Sequence, residues 1–367
     1  CGVPRGVLTN ACRSRTVDSV AREVVLNKTH ESRLAPTGRW FVAAVLILTA
    51  ILGPVVHADA SVSPAISGRV TNLSGDGIPG VVVRAVDSAT WSTNDHGVAT
   101  TDADGYYTVV LEPGSPSSVV IMFDPSASNV DNDTDYLGEF YGDTIYVLSA
   151  TPVAPGASNV DTQLAAGGSV SGTVYEPDGS TPVAGIAVRV ATGSAFDPST
   201  TTGVGGTYVL RGVAPGLPSV RAITAAYNEA NDTDFTDASQ SVSVTAGAES
   251  SGTNITLGQG GCIEGTVTGG GGPLGGVKVT AQDPSVWWNP MYTAYTEPDG
   301  TYVVRGLSTS ANHRVLFSPA EHNAANDAGW ASEYYSNVRL ASSFIPVSVT
   351  SALSTMGINA DLEVGGT

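Results

Sequence analysis

The chain has 367 residues, enough for two or three ordinary domains, and carries 34 acidic residues against 16 basic ones. The resulting formal net charge of −18, with only two lysines (Lys28 and Lys278), excludes a basic nucleic-acid-binding surface. A hydrophobic content of 41% argues against wholesale disorder, and three cysteines are too few for a disulfide framework.

Residues 1–60 have the features of a leader that directs export. An apolar run at residues 40–56 follows Arg33 and Arg39 and is broken near its end by a Gly-Pro pair. Small residues come next, so we expect a signal peptidase to cut at Ala58 or Ala60. A membrane anchor is the alternative, but the run is short for a bilayer and interrupted. The sequence therefore predicts a secreted mature chain with no membrane span.

A series of motifs recurs three times after the leader. The opening motif reads I-S-G-R-V at 66–70, V-S-G-T-V at 170–174 and I-E-G-T-V at 263–267. A second motif, a Gly-containing turn before a Tyr, recurs at 104–107, 205–208 and 299–302. Recurrence in a fixed order indicates tandem modules. We expect module 1 at 61–166, module 2 at 167–259 and module 3 at 260–367.

Each module has the pattern of short β-strands separated by Gly-rich turns. Residues alternate between apolar and polar, Val, Thr and Tyr are enriched, and no helical period of useful length follows the leader. The predicted fold is all-β: three tandem seven-stranded Greek-key-type β-sandwich modules after an N-terminal signal segment. Short Gly-Gly joints between modules favour a bent, semi-rigid rod.

These motifs resemble carboxypeptidase-regulatory-like modules over about residues 61–367. Such modules are transthyretin-like sandwiches, similar in shape to the B-type repeats of Gram-positive adhesins and to starch-binding-like folds. The resemblance implies extracellular, non-catalytic modules that bind glycans or proteins or that space out other domains. Modules of this kind also occur attached to secreted peptidases and amylase-type glycosidases.

Two acidic loops at equivalent places are candidate calcium sites, and calcium is the one cofactor that the sequence suggests. Alternating carboxylates can supply the oxygen ligands that Ca²⁺ requires. A solvated acidic loop is the alternative, and the third module has only Asn326-Asp327-Ala328-Gly329 at this place. The candidate ligands are Asp131, Asp133, Asp135, Asp232, Asp234 and Asp237.

Trp287 and Trp288 are candidates for carbohydrate binding. Adjacent residues of a strand face opposite ways, so one indole should be partly exposed and able to stack on a sugar ring. Packing in the core or at a sheet edge is the alternative.

Catalytic residues are not indicated. No histidine after the leader has the spacing of a zinc pair, and no G-x-S-x-G motif is present. The sequence favours a secreted, non-catalytic, monomeric protein for carbohydrate or protein binding, adhesion or spacing at the cell exterior. Its partner there would be a polysaccharide or a surface protein, including one of the cell wall. The alternative is the accessory region of a secreted hydrolase, an α-amylase-type glycosidase or a carboxypeptidase, whose catalytic domain is absent from this chain.

Overall fold

The computed structural model describes residues 63–87, 95–285 and 291–365, which form strands, turns and three short helices. The all-β fold predicted from the sequence is confirmed. Three separate hydrophobic cores follow one another along the chain, within residues 66–164, 170–257 and 263–362. The leader, with its expected cleavage at Ala58 or Ala60, lies outside the described residues. The helices that the structure describes are too short to cross a membrane.

Module 1 is a sandwich of a three-stranded and a four-stranded sheet. The sheets have the strand orders β4-β1-β7 and β3-β2-β5-β6, and β7 alone is parallel to its neighbour. The elements are β1 (Ala65–Asn72), β2 (Val82–Val86), β3 (Asp95–Thr100), β4 (Tyr106–Val110), β5 (Val120–Asp124), α1 (Ser126–Asn132), β6 (Glu139–Phe140), a 3₁₀ turn (Val147–Ser149) and β7 (Thr162–Leu164).

Module 2 repeats this arrangement. One sheet pairs β11 with β8 and adds the short parallel strands β15 and β16 to β8, and the other has the order β10-β9-β12-β14. The elements are β8 (Gly168–Tyr175), β9 (Ala187–Val190), β10 (Ser199–Thr201), a 3₁₀ turn (Val204–Gly206), β11 (Thr207–Val213), β12 (Ser219–Ile223), α2 (Ala225–Asn231), β13 (Phe235–Thr236), β14 (Ala238–Ser241), β15 (Glu249–Ser250), β16 (Ile255–Thr256) and β17 (Gly258–Gln259).

Module 3 has the same two sheets. One contains β19-β18-β22 with β26 and β27 parallel to β18, and the other contains β21-β20-β23-β24 with β25 on β23. The elements are β18 (Gly261–Gly269), β19 (Gly272–Pro273), β20 (Lys278–Gln282), β21 (Tyr292–Tyr295), β22 (Thr301–Leu307), β23 (Ser310–Ser318), α3 (Ala320–Asn326), β24 (Glu333–Tyr334), a 3₁₀ turn (Ala341–Ser343), β25 (Val347–Val349), β26 (Ser354–Thr355) and β27 (Ala360–Leu362).

The opening glycine and the tyrosine of the repeat are linked through one carbonyl group. In module 1 the buried Tyr107 hydroxyl donates a 2.7 Å hydrogen bond to Val160 O, and a Cβ at Gly68 would overlap that same oxygen. The residue must therefore be glycine for the closing segment to approach the first strand. The same three-part contact recurs in the other modules: Gly172, Tyr208 and Thr253, then Gly265, Tyr302 and Ile358.

A buried threonine closes the turn between the first two strands. In module 1, Thr101 Oγ1 donates to Ile78 O at 2.7 Å and accepts from Val81 N at 2.9 Å. The hydroxyl thus satisfies two backbone groups that the turn leaves unpaired inside the sandwich. Thr202 and Thr296 make the equivalent pairs of bonds in modules 2 and 3.

Candidate functional site: the two intermodule joints

Each module carries a short helix followed by a turn, and the shape of the turn is set by one asparagine. In module 1, α1 is followed by Asp133, which adopts the left-handed conformation (φ 56°) that Asp tolerates better than most residues. The buried Asn129 side chain donates to Tyr136 O and accepts from Tyr136 N, both at 2.8 Å. These bonds hold the carboxylates of Asp133 and Asp135 on one exposed turn.

The other two modules form the same helix and turn. In module 2 the Asn228 side chain makes the same two hydrogen bonds to the backbone of Phe235. In module 3 the Asn323 side chain makes them to the backbone of Trp330. Asp232 and Asp327 occupy the left-handed position with φ of 55° and 50°. We call residues 133–135 and 232–234 the acidic loops of modules 1 and 2.

The next module meets each acidic loop with an arginine and a glycine on a bulged strand. The pairing of β11 with β8 shifts register between Leu210 and Val213, which places Arg211 and Gly212 at the bulge. Gly212 has φ +68°, and a Cβ there would lie 2.6 Å from Tyr136 O of module 1. Glycine is required both by the backbone conformation and by this close approach. We call β11 and β22 the receiving strands.

We call the contact between modules 1 and 2 joint 1 and that between modules 2 and 3 joint 2. Joint 1 pairs the arginine of module 2 with the acidic loop of module 1. Arg211 Nη2 forms an ion pair with Asp133 Oδ1, and its Nη1 lies 3.6 Å from Asp135 Oδ1. Gly212 N also donates to Asp135 Oδ1 at 3.3 Å. One arginine thereby bridges two carboxylates of the preceding module.

Joint 2 repeats this geometry with deeper burial. Arg305 Nη2 lies 2.9 Å from Asp232 Oδ1, and its Nη1 lies 3.6 Å from Asp234 Oδ1. The side chains of Arg305 and Asp234 are 9% and 8% exposed. Burial raises the pKa of Asp234 above its usual value, and the positive charge of Arg305 opposes that rise. Gly306 (φ +72°) takes the place of Gly212 and approaches Phe235 O.

The linker residue at each joint is hydrogen-bonded to both of the modules that it connects. Gly167 N donates to Asp135 O of module 1 at 2.6 Å, and Gly167 O accepts from Gly247 N of module 2 at 2.6 Å. At joint 2, Gly260 N donates to Asp234 O at 2.7 Å and Gly260 O accepts from Ala352 N at 2.6 Å. Each linker glycine is therefore held by backbone hydrogen bonds on both sides.

Joint 1 has an additional aromatic contact. Phe196, on the loop between β9 and β10 of module 2, packs edge-on against Phe140 of module 1 with ring centroids 5.1 Å apart. It joins a small apolar cluster of module 1 that includes Val86 and Val120. A Cβ at Gly138 would overlap the Phe196 ring, so the glycine makes room for this contact.

Beside joint 2, two charged residues of module 2 act electrostatically on a tyrosine of module 3. Asp237 of module 2 accepts from Thr224 N at 2.9 Å and lies 3.6 Å from Arg221. The pKa of Tyr292 of module 3 is raised to about 12, mainly by burial and also by the charge of Asp237, while the charge of Arg221 opposes the rise. The two joints thus share the arginine and differ in the contacts beside it.

The predicted calcium ligands are distributed over these joints. Four of the six carboxylates contact an arginine of the next module, one (Asp237) contacts Thr224 and Arg221, and Asp131 is exposed on α1. Within 63–87, 95–285 and 291–365, no group of three or more His, Cys, Asp or Glu side chains is placed to hold a metal ion. Calcium binding stays a prediction, and at either joint Ca²⁺ would compete with the guanidinium for the same oxygens.

The predicted sugar-binding pair, Trp287 and Trp288, lies outside the described residues, so this role stays a prediction. The residues that the sequence interpretation missed are Arg211 and Arg305. A signal for them was present, because the receiving strands read V-L-R-G-V and V-V-R-G-L in modules 2 and 3. An arginine in the same register of two repeats, each followed by glycine, is the pattern that marks the joint.

No protein-family model and no curated protein matches the chain. Three solved structures show a distant similarity. The Bacillus anthracis TIE protein is 9% identical with a TM-score of 0.20; the match covers 82% of this chain and 50% of that one, so the chain spans half of its length. A streptococcal ancillary pilin is 10% identical with a TM-score of 0.24, over 83% of this chain and 99% of the pilin. The major pilin subunit of Bacillus cereus is 10% identical with a TM-score of 0.20, over 82% and 99%.

These scores are too low to carry an inference about function, which therefore rests on the geometry of the chain itself. The resemblance to carboxypeptidase-regulatory-like modules is matched by no family model and stays a prediction.

Proposed function

We propose that this chain is a non-catalytic spacer or adhesion protein of the cell exterior, in which three β-sandwich modules are held in a fixed relation. The observation that carries the proposal is the pair of equivalent joints. In each, the linker glycine is hydrogen-bonded to both modules and one arginine bridges two carboxylates of the preceding module. Modules joined without slack transmit a fixed spacing, whereas modules on flexible linkers do not.

Two clefts lie where modules 1 and 2 meet. They have volumes of about 250 and 230 Å³ and share Val130, Val209 and Arg211 in their lining. Sites for small molecules usually have volumes of roughly 300–1,000 Å³ and are built around convergent polar groups. Both clefts are smaller than this range.

The test is the distribution of distances across each joint. Nitroxide labels would be attached through ketone-bearing noncanonical residues at Ser117, Ser180 and Ser342, one exposed serine in each module. Pulsed electron paramagnetic resonance should give one narrow distance distribution for the 117–180 pair and one for the 180–342 pair. Broad distributions in the unmodified joints would overturn the proposal.

A control variant shows that the measurement can detect a loose joint. Insertion of Gly-Ser between Gly167 and Gly168 adds free length to joint 1 only. We expect the 117–180 distribution to broaden and the 180–342 distribution to stay as it was.

Export is the part of the proposal that rests on sequence. The apolar run at 40–56 and the small residues after it support cleavage, and the acidic balance favours solubility outside the cell. N-terminal sequencing of the secreted protein should begin at residue 59 or 61. Protein retained in cells with the leader intact would contradict export.

The partner in the proposal is a surface protein. The polysaccharide-binding and hydrolase-accessory interpretations have no support among the described residues and stay predictions. Retention on immobilised polysaccharides, compared between the wild type and a variant with Ala at both Trp287 and Trp288, tests the first of them.

A further inference from the structure

The three modules differ from one another at the positions that make the joints. Counted from the shared tyrosine, the position of Arg211 and Arg305 is occupied in module 1 by Val110, which is 56% exposed. The pairing of β4 with β1 runs in unbroken register from Tyr106 to Val110, so module 1 also lacks the bulge and its glycine. The first module therefore has neither the guanidinium nor the backbone amide that a receiving strand presents.

The acidic loop is altered in module 3. Asp327 keeps the left-handed position at the end of α3, and Asn323 still closes the loop onto Trp330 with a 2.8 Å bond. Gly329 replaces the second carboxylate, the position of Asp135 and Asp234. The loop has the same shape, and only one of the two groups that an arginine bridges remains.

We infer that the acidic loop and the receiving strand form a directional recognition pair, which joints 1 and 2 contain and which the loop of module 3 and β4 of module 1 would not form with each other. The loops of modules 1 and 2 bind the Arg-Gly bulges of modules 2 and 3, whereas β4 of module 1 lacks the arginine and the loop of module 3 lacks the second carboxylate. We call the surfaces around Val110 and around Gly329 the outer faces of the three modules. Copies of this chain therefore do not join head to tail through these faces. This inference rests on the proposed function and adds to it a fixed order of modules.

The residues on the outer faces disfavour a contact between two copies of the chain. If module 3 of one copy met module 1 of another, Asp327 would face Val110 and gain neither a guanidinium nor the bulge amide. Such a contact would lack the ion pairs and the amide hydrogen bond that stabilise the joints, so no electrostatic gain would offset the desolvation of the two surfaces.

The inference is tested by moving the outer-face residues into joint 2. Arg305→Val gives β22 the residue of module 1, and Asp234→Gly gives the acidic loop of module 2 the residue of module 3. Each variant should lose the single narrow 180–342 distance distribution while keeping the narrow 117–180 one. Asp234→Asn serves as a second loop variant, and far-ultraviolet circular dichroism of each confirms that the sandwiches remain folded.

The matched variants place joint residues on the outer faces one at a time. Val110→Arg and Gly329→Asp should leave both distance distributions unchanged. Sedimentation velocity of the purified wild type should give one species whose sedimentation coefficient does not change with concentration.

Two outcomes would overturn the inference. One is that Arg305→Val and both Asp234 variants keep the narrow 180–342 distribution of the wild type. The other is head-to-tail association of the wild type that Gly329→Asp or Val110→Arg alters. A wild type with broad distributions would instead refute the proposed rigid spacing, so the two failures are distinguishable.

Discussion

Arg305 Nη2 of module 3 lies 2.9 Å from Asp232 Oδ1 of module 2, although the two residues are 73 positions apart in the sequence. The same guanidinium faces Asp234, whose side chain is 8% exposed. A contact between two domains that excludes water in this way depends on the charge of each partner, since neither group can fall back on solvent. The arginine is thus the residue on which joint 2 depends most.

Replacing Arg305 by Ala should loosen joint 2 and leave the sandwich cores folded. Loss of one partner from a buried ion pair costs about 3 kcal/mol, because a carboxylate is left without its counter-ion. We expect amide exchange at Gly260 and Gly306, which lie in the joint, to accelerate by roughly 100-fold. Hydrogen exchange followed by NMR measures this effect.

A matched control for that variant is Arg339→Ala. Arg339 pairs with Glu363 at 2.9 Å, but both side chains are well exposed. Exposed pairs contribute about 0–1 kcal/mol, so the control should leave exchange at joint 2 unchanged. Equal effects of the two substitutions would show that Arg305 has no special role.

The repeat motifs allowed the all-β fold to be predicted because each motif residue has a local structural task. The threonine, glycine and tyrosine of module 1 each satisfy or approach a specific backbone group, and the same contacts return in modules 2 and 3. The three helices could not be predicted in this way. Seven residues make only two turns, which is too short to show a helical period, and the helices are held by Asn129 and its equivalents.

The acidic loops were visible in the sequence, but their partners were not. Asp133 and Asp232 stand out as clustered acids, and calcium is the ligand that such clusters suggest when each module is considered alone. Their arginines come from the following module, 78 and 73 residues further on. Only the docking of one module on the next brings the opposite charges together.

Gly265→Ala should destabilise module 3 severely. A Cβ at this position would overlap Ile358 O, the carbonyl to which the Tyr302 hydroxyl donates at 2.6 Å. The closing segment would have to move away from β18, and we expect a loss of at least about 2 kcal/mol in the free energy of unfolding. Thermal unfolding followed by circular dichroism measures the change.

Gly272→Ala is the control for steric overlap. No atom lies within 4 Å of a Cβ built at Gly272, and its backbone conformation suits any L-residue. We expect its melting temperature to stay close to that of the wild type. A variant Gly265→Ala as stable as Gly272→Ala would contradict the role assigned to the opening glycine.

Phe196→Ala should weaken joint 1 without affecting joint 2. The ring is partly buried against Phe140 and the apolar cluster of module 1, so its removal loses apolar contact and leaves a gap at the interface. For a partly buried ring we expect a cost of about 2 kcal/mol. The 117–180 distance distribution should broaden while the 180–342 distribution stays narrow, and an unchanged 117–180 distribution would show that the ion pairs alone hold joint 1.

Glu333 should make the stability of module 3 depend on pH. The side chain is 2% exposed, its Oε1 has no hydrogen-bond partner, and burial raises its pKa above the usual 4.5. In module 1 the equivalent Glu139 accepts a hydrogen bond from Thr162, whereas module 3 has Ala360 at the position of that threonine. The carboxyl of Glu333 therefore binds its proton more tightly in the folded module than in the unfolded chain.

The sign of the dependence follows from the raised pKa. A group that binds its proton more tightly in the folded state stabilises the fold fully at low pH, and this contribution is lost as pH rises from about 4.5 through the raised folded-state pKa.

Glu333→Gln removes the titration, so we expect it to stabilise module 3 by about 1–2 kcal/mol at neutral pH and to flatten the dependence of stability on pH. Ala360→Thr should have a smaller effect in the same direction, because it supplies the donor present in module 1. Urea unfolding followed by the NMR signals of module 3 at several pH values measures both variants, with the exposed Glu321→Gln as control. Module 3 would lack a titrating buried carboxyl if Glu333→Gln and Glu321→Gln gave the same pH profile as the wild type.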